Sequence, residues 1–529
     1  MSQSSVLDRL SSQLLLKLSD LQHQPVPVTL GLIVLGLVAH VFYQSWTWHR
    51  TYKLPRTIPG RPVLGNIFQV PYPSGMWLKS LAEKHGEMFS LKLGSKTWVF
   101  LNSSRVVEDL LEKRSAIYSS RMRFPMAQEL MSGNNRFLLM PYGDRWRGIR
   151  KIMHQVLNSR QADKFQVYQD IESRRLLHAY LRHPDKWYLA NQQFANSVIL
   201  SVVLGRTSDM NDPTLAELLA TTQVFLRNIK PGANLVDMFH WLARLPKWMQ
   251  WWRPYGLALF ERSKAVYFRE LDLLKKKMED GTAEPCFAID YMQAKGEINT
   301  NDLETIFVFG TLMEAGSDTS RVAISQGIAA AAIYGDWVKR AREELDAVCG
   351  DAERLPELSD RDQLPYLSAV TKEILRWRPF IQSGTGRELI QDDEYEGYKF
   401  PAGTVFTWNP WAIALNPNEY EDPLTFKPER FLNENLRSPL KGHWAFGAGR
   451  RACVGYNVGD TNVWIATARL IYCFDFEQVP DAPIDTFYTI WEAHDKPAFP
   501  VKIKCRSQKH AQLIENISWA VYLLTPAIA

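Results

Sequence analysis

From Val26 to Tyr43 the chain carries no charged side chain, an apolar run at the short end of what crosses the hydrocarbon core of a bilayer as a helix. Tyr43, Trp46 and Trp48 follow as an interfacial belt. Arg50, Lys53, Arg56 and Arg61 come next with no acid among them, so the positive-inside rule predicts that the rest of the chain stays in the cytosol. Upstream, Leu7, Leu10, Leu14 and Leu18 recur at helical spacing and predict an amphipathic segment. Leu54 to Pro62, with three prolines, reads as a stiff lead out of the anchor. Met88–Leu93 and Thr97–Leu101 predict a hairpin turning at Gly94-Ser95, and Asp393 to Thr404 predicts a second. From about Ser103 to Trp377 the apolar period is mostly helical. Its longest run is Asn301 to Tyr334, with Asn301 and Glu304 as a capping box and Gly335 expected to close it. Arg506 to Ala529 runs past the expected end of the fold, and its apolar piece Trp519–Leu524 is too short to span a membrane.

This pattern divides the chain into a segment 1–25, a transmembrane anchor 26–43, a basic Pro-rich hinge 44–65, one large domain 66–505 and a tail 506–529. The composition, 46% hydrophobic with 18 Trp, 20 Tyr and 25 Phe, supplies a large core and excludes disorder. A net charge of +5 spread over 529 residues disfavours nucleic acid as a partner. Cys286, Cys349, Cys453, Cys473 and Cys505 make an odd count without paired spacing, which predicts a reducing compartment rather than a disulfide framework. With the bulk in the cytosol, the sequons at Asn102 and Asn516 are expected to stay unmodified.

The chemistry gathers at Phe446-Gly447-Ala448-Gly449-Arg450-Arg451-Ala452-Cys453-Val454-Gly455. Glycines expose backbone N–H groups and two arginines bring positive charge, so the stretch reads as a tight loop around a sheltered thiolate able to ligate iron. Ala315-Gly316-Ser317-Asp318-Thr319, at the centre of the longest helical run, weakens the helix and predicts a local opening for a ligand. Trp146 and Arg150, four apart, share a helix face that can bind a carboxylate, and Glu373 and Arg376 pair on a helix that Pro379 stops.

Phe446-x-x-Gly449-x-Arg451-x-Cys453-x-Gly455 resembles the haem-binding loop of the cytochrome P-450 superfamily, the haem-thiolate monooxygenases. Ala315-Gly316-x-Asp318-Thr319, Trp146-x-x-x-Arg150, Glu373-x-x-Arg376 and Pro428-Glu429-Arg430-Phe431 resemble that family's other motifs in its order. The resemblance covers nearly everything after Leu54 and implies the cytochrome P-450 fold, mainly α with small β-sheets, as a single catalytic domain behind a transmembrane helix. It implies haem b with Cys453 as axial ligand and Phe446 against the thiolate side, while Gly449 and Gly455 let the backbone reach the sulfur. Arg451, Trp146, Arg150 and Arg387 would hold the propionates. Asp318 and Thr319 would handle dioxygen and its protons, and Glu373, Arg376 and Arg430 would form a buried structural triad. The family's usual proline before Arg387 is Gly386 here, a departure expected to loosen the strand lining the pocket.

The same resemblance places the substrate among Met126 to Leu139, Thr311, Leu312, Ala315, Phe380 to Thr385 and Phe487 to Trp491, with Met126, Phe380 and Tyr488 as pocket residues. These positions are mostly apolar, so the substrate is a lipophilic small molecule. No flavin or nicotinamide fingerprint occurs, so electrons are expected from NADPH through a separate membrane-bound flavoprotein reductase, in the endoplasmic reticulum membrane. Arg145, Arg147, Lys151, Lys441 and Arg450 are candidate docking residues for its acidic face. The motif details resemble filamentous-fungal members of secondary metabolism. The competing readings are a haem-thiolate isomerase or dehydratase and a non-catalytic haem sensor, both disfavoured by the intact Asp318-Thr319 pair.

Overall fold

A helix that buries none of its apolar span opens the described chain. In the computed structural model, α1 runs Pro25–Thr51, and its window Thr29–Thr51 is long and apolar enough to cross a bilayer, about 35 Å at 1.5 Å per residue. With no breaker before Pro55 the helix continues beyond the apolar run, so the aromatic belt stands on it and the Arg50 guanidinium lies 4.7 Å from the Trp46 ring. The structure describes residues 25–206, 213–230, 232–298, 300–491 and 496–523, and the segment Val6 to Leu18 lies outside them.

The chain divides into two units, Met1–Pro55 with Asp392–Ala402, and Arg56–Gln391 with Gly403–Ala529. In the first, the Tyr52 hydroxyl donates to Asp392 Oδ2 at 2.8 Å, and Lys53 and Lys399 exchange backbone hydrogen bonds of 3.2 and 2.9 Å. The expected second hairpin is there, Asp393–Tyr395 against Tyr398–Phe400, with Glu396 and Gly397 both at positive φ as its turn requires.

The second unit is helical around small sheets. Its strands β1 (Met88–Leu93) and β2 (Lys96–Leu101) form the expected hairpin. Two more complete a four-stranded sheet in the order β1, β2, β4, β3, with β3 spanning Arg387–Glu388 and β4 spanning Val405–Trp408. The β2–β4 pairing is parallel, and Arg387 sits opposite Phe406 across the antiparallel β3–β4 pair.

The helices that position the site are α2 (Asp144–Leu157), α3 (Gln166–Arg182), α4 (Trp187–Leu204), α5 (Pro213–Asn228), α6 (Arg253–Glu279), α7 (Asp302–Ile333), α8 (Gly335–Cys349), α9 (Pro365–Trp377), α10 (Tyr456–Cys473) and α11 (Gln508–Leu523). α7 is apolar on nearly every face, which only a helix enclosed by others can bear. Its capping box is present: Asn301 Oδ1 accepts the Glu304 N–H at 2.9 Å, and the Asn301 N–H reaches Glu304 Oε2 at 3.1 Å. Gly316 lets α4 come close, since a Cβ there would stand 2.4 Å from Ile199. Gly335 does not close α7 but opens α8; Tyr334 turns the chain in an extended conformation instead.

One sequence expectation changes at the C-terminal end. The chain past Cys505 is not a free tail: α11 buries His510 and Ile514, and Glu515 pairs with Arg182 of α3 at 2.9 Å. Asn102 is buried: its amide donates to the Gly86 carbonyl at 2.7 Å and accepts from Asn409 at 3.0 Å, so the fold has no room for a glycan there.

Two buried carboxyls set a pH dependence of stability. Burial pushes Glu172 and Asp237 up to about 7, whereas unfolded carboxyls titrate near about 4. At these two groups the native protein binds more protons than the unfolded chain between about pH 4 and 7, so their contribution to stability falls as pH rises through that window, while the buried His443 imidazole, pushed down to about 3, works the other way. The thermal midpoint of wild type relative to Glu172→Gln, measured from about pH 5 to 8, is expected to fall as pH rises; a difference that stays constant or grows with pH contradicts the assignment.

Candidate active site

Three side chains in the second unit keep free surface where their neighbours do not. α7 is buried on both sides of its centre, yet Ala315 and Thr319, four apart and so on one face, are exposed. Cys453 is exposed as well, but its thiol is desolvated and burial pushes it above its ordinary value. Opposing that rise are the Gly455 N–H, which donates to the sulfur, and the Arg150 guanidinium. The helix α10 begins two residues beyond Gly455's neighbour Val454, so the positive end of its dipole also faces this loop.

The loop is held by its backbone. The Cys453 N–H donates to the Phe446 carbonyl at 2.8 Å, and the Ala452 N–H to Gly449 at 3.0 Å. Gly449 has φ +54°, and a Cβ there would meet the Leu111 carbonyl at 2.0 Å, so no other residue fits. The two glycines thus divide the work: Gly455 serves the sulfur, while Gly449 serves the close approach to Leu111. Phe446 packs 5.8 Å from His443 and 6.4 Å from Tyr456.

The charge near the sulfur is not the adjacent pair. Arg450 turns to the Tyr142 hydroxyl, and Arg451 donates to the Ser119 and Met140 carbonyls at 2.8 and 2.6 Å while lying 4.1 Å from the Trp146 ring. Arg150 donates to the Ala452 carbonyl. Arg387 donates to the Ala448 carbonyl at 2.6 Å, and Arg121 to the Thr385 and Gly386 carbonyls at 2.9 and 2.7 Å. Arg121 was not singled out by any motif; it sits in a loop with no spacing signal.

Among the described residues none of these four guanidiniums, Arg121, Arg150, Arg387 and Arg451, forms an ion pair. Burial first, and repulsion from Arg121, Arg387 and Arg150 next, push Arg451 down to about 7; Arg387 falls to about 9 for the same two reasons. Trp146 Nε1, Arg150 Nε and Arg387 Nε are buried donors without acceptors. A cluster of desolvated cations with orphaned donors is costly unless an anion joins it. The two propionates of a haem are such an anion, and the Cys453 thiolate would be able to ligate its iron, so the residues present fit this group.

The expected opening in α7 is absent. The helix is regular throughout, and the Thr319 hydroxyl donates to the Ala315 carbonyl at 2.9 Å without displacing the helical bond. Asp318 is paired with Arg321 one turn on, at 3.2 Å. Nor is the strand at Gly386 loose: a Cβ there would meet the Trp98 ring at 2.6 Å and Val405 at 2.7 Å, so a large side chain occupies the room a proline would take.

Glu373, Arg376 and Arg430 do come together. Glu373 accepts both Arg376 nitrogens at 2.7 Å, Arg430 Nε lies 3.2 Å away, and the Lys427 N–H adds a bond of 2.8 Å. Of the pocket residues, Thr311 spends its hydroxyl on the Phe307 carbonyl at 2.7 Å, and Leu312 is buried beside it. Met126 is wholly enclosed against Gly256 of α6. Phe380 lines a small apolar cavity with Leu375, Trp408 and Ile413. Tyr488 is 61% exposed on a turn whose neighbour Phe487 stacks 4.4 Å from Arg378. Among the basic candidates, Arg145 pairs with Glu304 and Arg147 with Asp144, while Lys151 and Lys441 lie exposed.

The fold and the site define an α-rich protein with one exposed thiol beside a cationic cluster, an arrangement that a flat dianionic cofactor would fit. The sequence model described as cytochrome P450 matches residues 55–496, and the chain belongs to that family. It is similar to cytochrome P450 monooxygenase fogE of Aspergillus ruber, 32% identical over 92% of this chain and 93% of the relative. It is also similar to cytochrome P450 monooxygenase verL of Clonostachys rogersoniana, 33% identical over 91% and 92%. A solved zebra fish cytochrome P450 structure, 20% identical, covers 83% of this chain and all of its own with a TM-score of 0.66, and so shares the fold. The protein is a haem-thiolate monooxygenase that acts on a small molecule with dioxygen and electrons from a redox partner.

Proposed function

We propose that Cys453 is the axial ligand of haem b and that Arg121, Arg150, Arg387 and Arg451, with Trp146, hold its propionates. The observation that carries this is the four-guanidinium cluster, none of whose members forms an ion pair among the described residues although Glu112 lies near Arg387, and which stands around the loop of the one exposed cysteine. When bound, a thiolate-ligated haem supplies the oxygen activation and O–O cleavage. The chain's own residues do the rest. Gly455 donates to the sulfur and tempers its charge. Thr319, on the exposed face of α7, can turn its hydroxyl from the Ala315 carbonyl toward oxygen. Asp318, paired with Arg321, would pass protons from the other side of the same turn.

The substrate is a lipophilic small molecule, and the names of the fungal relatives support a place in fungal secondary metabolism. The anchor α1 supports a single-pass endoplasmic reticulum protein with its catalytic unit in the cytosol, fed by a membrane-bound NADPH reductase. A second apolar surface belongs to the catalytic unit: Trp241, Trp248 and Trp251 are exposed among Arg244 and Lys247, an interfacial composition. Protein lacking 1–51 is expected to retain membrane affinity that falls when Trp248 and Trp251 become Ser, measured by flotation on vesicles.

The reduced, carbon-monoxide-bound spectrum tests the whole reading: a strongly red-shifted Soret band is expected, and its absence in wild type defeats it. Thr319→Ala is expected to keep that band and the rate of NADPH consumption while product per NADPH drops by about tenfold. Coupling that stays intact removes Thr319 from the relay, and with it the main argument against an isomerase.

A further inference from the structure

The wall of the expected pocket, Met126 to Leu139, is pinned at both ends by buried carboxylates. At its start, Asp237 Oδ1 accepts the Met126 N–H at 2.7 Å and Oδ2 the Ala127 N–H at 3.3 Å. At its far end Arg136, fully buried, pairs with Glu314 of α7. Tyr267 of α6 donates its hydroxyl to the same Glu314 oxygen at 2.6 Å, and Arg136 Nε donates to Ser132 Oγ at 3.0 Å. The guanidinium also lies 3.5 Å from the Phe225 ring of α5. One ion pair therefore joins the wall to three helices.

There is little slack around it. A Cβ at Gly310 would stand 2.5 Å from the Tyr267 ring, and one at Gly256 would stand 2.8 Å from Leu130, so α6 is pressed against both α7 and the wall. A buried ion pair seldom stabilises more than apolar residues of similar volume, so stability alone does not account for this one. Its position does: Glu314, buried, immediately precedes Ala315, and Ala315 shares the exposed face with Thr319. The pair cancels its own charge, which leaves a wall suited to an uncharged substrate.

We propose that Arg136, Glu314 and Tyr267 are specificity-determining positioning residues. Their network sets how far the 126–139 wall stands from the Ala315–Thr319 face, and so the size of the uncharged molecule that reaches Thr319. This rests on the haem lying beneath that face. The two are separable, because the carbon-monoxide spectrum of wild type reports the haem and the following titration reports the wall.

The ferric holoenzyme is titrated spectrally with imidazole and with 4-phenylimidazole, which share an iron-binding nitrogen and differ in bulk. In Glu314→Gln and Tyr267→Phe the ratio of the two dissociation constants is expected to move by at least about fivefold while the carbon-monoxide band persists. Ratios within about twofold of wild type in variants that keep the band overturn the proposal. If the single variants lose the band, the Arg136→Met, Glu314→Met double removes both charges without stranding either, and an unchanged ratio there overturns it equally.

Discussion

Cys453→Ala is expected to abolish the red-shifted Soret band and reduce turnover to background while the protein remains folded. The loop makes this variant interpretable, because its hydrogen bonds are backbone bonds: Cys453 N–H to Phe446, Ala452 N–H to Gly449 and Gly447 N–H to Trp444. None needs the sulfur, and alanine fits the space. No other cysteine can take over. Cys286 and Cys349 are buried, with thiols pushed up to about 11, Cys473 is buried with its thiol raised further, and Cys505 sits on a strand edge with its sulfur against the Ser507 carbonyl. Burial also raises the Cys453 thiol, so binding to iron would have to displace its proton. Thermal unfolding and circular dichroism check the fold; a red-shifted band surviving in the variant would move the ligand elsewhere.

Glu373→Ala is expected to do the opposite, removing the fold along with the spectrum. The carboxylate is fully buried, forms ion pairs with two guanidiniums and accepts a backbone N–H. Deleting it strands Arg376 and Arg430 as buried or near-buried cations, a loss of about 3–5 kcal/mol, which is a large part of the stability of an ordinary domain. Arg376 keeps its bonds to the Ala414 and Pro423 carbonyls at 2.7 and 2.9 Å, but these accept hydrogen bonds without cancelling charge. The measurements are soluble yield and the fraction of protein that shows the carbon-monoxide band. Glu373→Gln, which retains one acceptor, is expected to fall between wild type and alanine. Normal yield with a normal band in Glu373→Ala would show that the triad is dispensable.

Much of the site could be read because its parts are short. The Cys453 loop works through residues within ten positions of one another, and the glycines that permit its turns are written in the same ten. The capping box at Asn301 and Glu304 and the Glu373–Arg376 pair are likewise one helical turn long. Apolar period located α1 and α7, since both depend only on local spacing. The errors share a cause as well. Gly335 looked like a helix stop because glycine often is one, but Tyr334 made the turn; Gly386 looked like slack, but Trp98, nearly three hundred residues earlier in sequence, fills the room beside it.

The sequence by itself therefore determined the long apolar N-terminal helix, the helical class and the cysteine loop and α7 motifs on which the proposed ligand and oxygen-handling roles rest, because each is carried by residues a few positions apart whose backbone preferences and side-chain spacing act locally. Only the tertiary structure decided which of the 62 lysines and arginines gather as an uncompensated cluster, with Arg121 among them and Arg150 rather than Arg450 or Arg451 beside the sulfur. It alone brought Arg136 to Glu314, 178 positions apart. Burial is a property of the packed chain, and it is burial that turns an ordinary guanidinium or carboxylate into one that must have a partner.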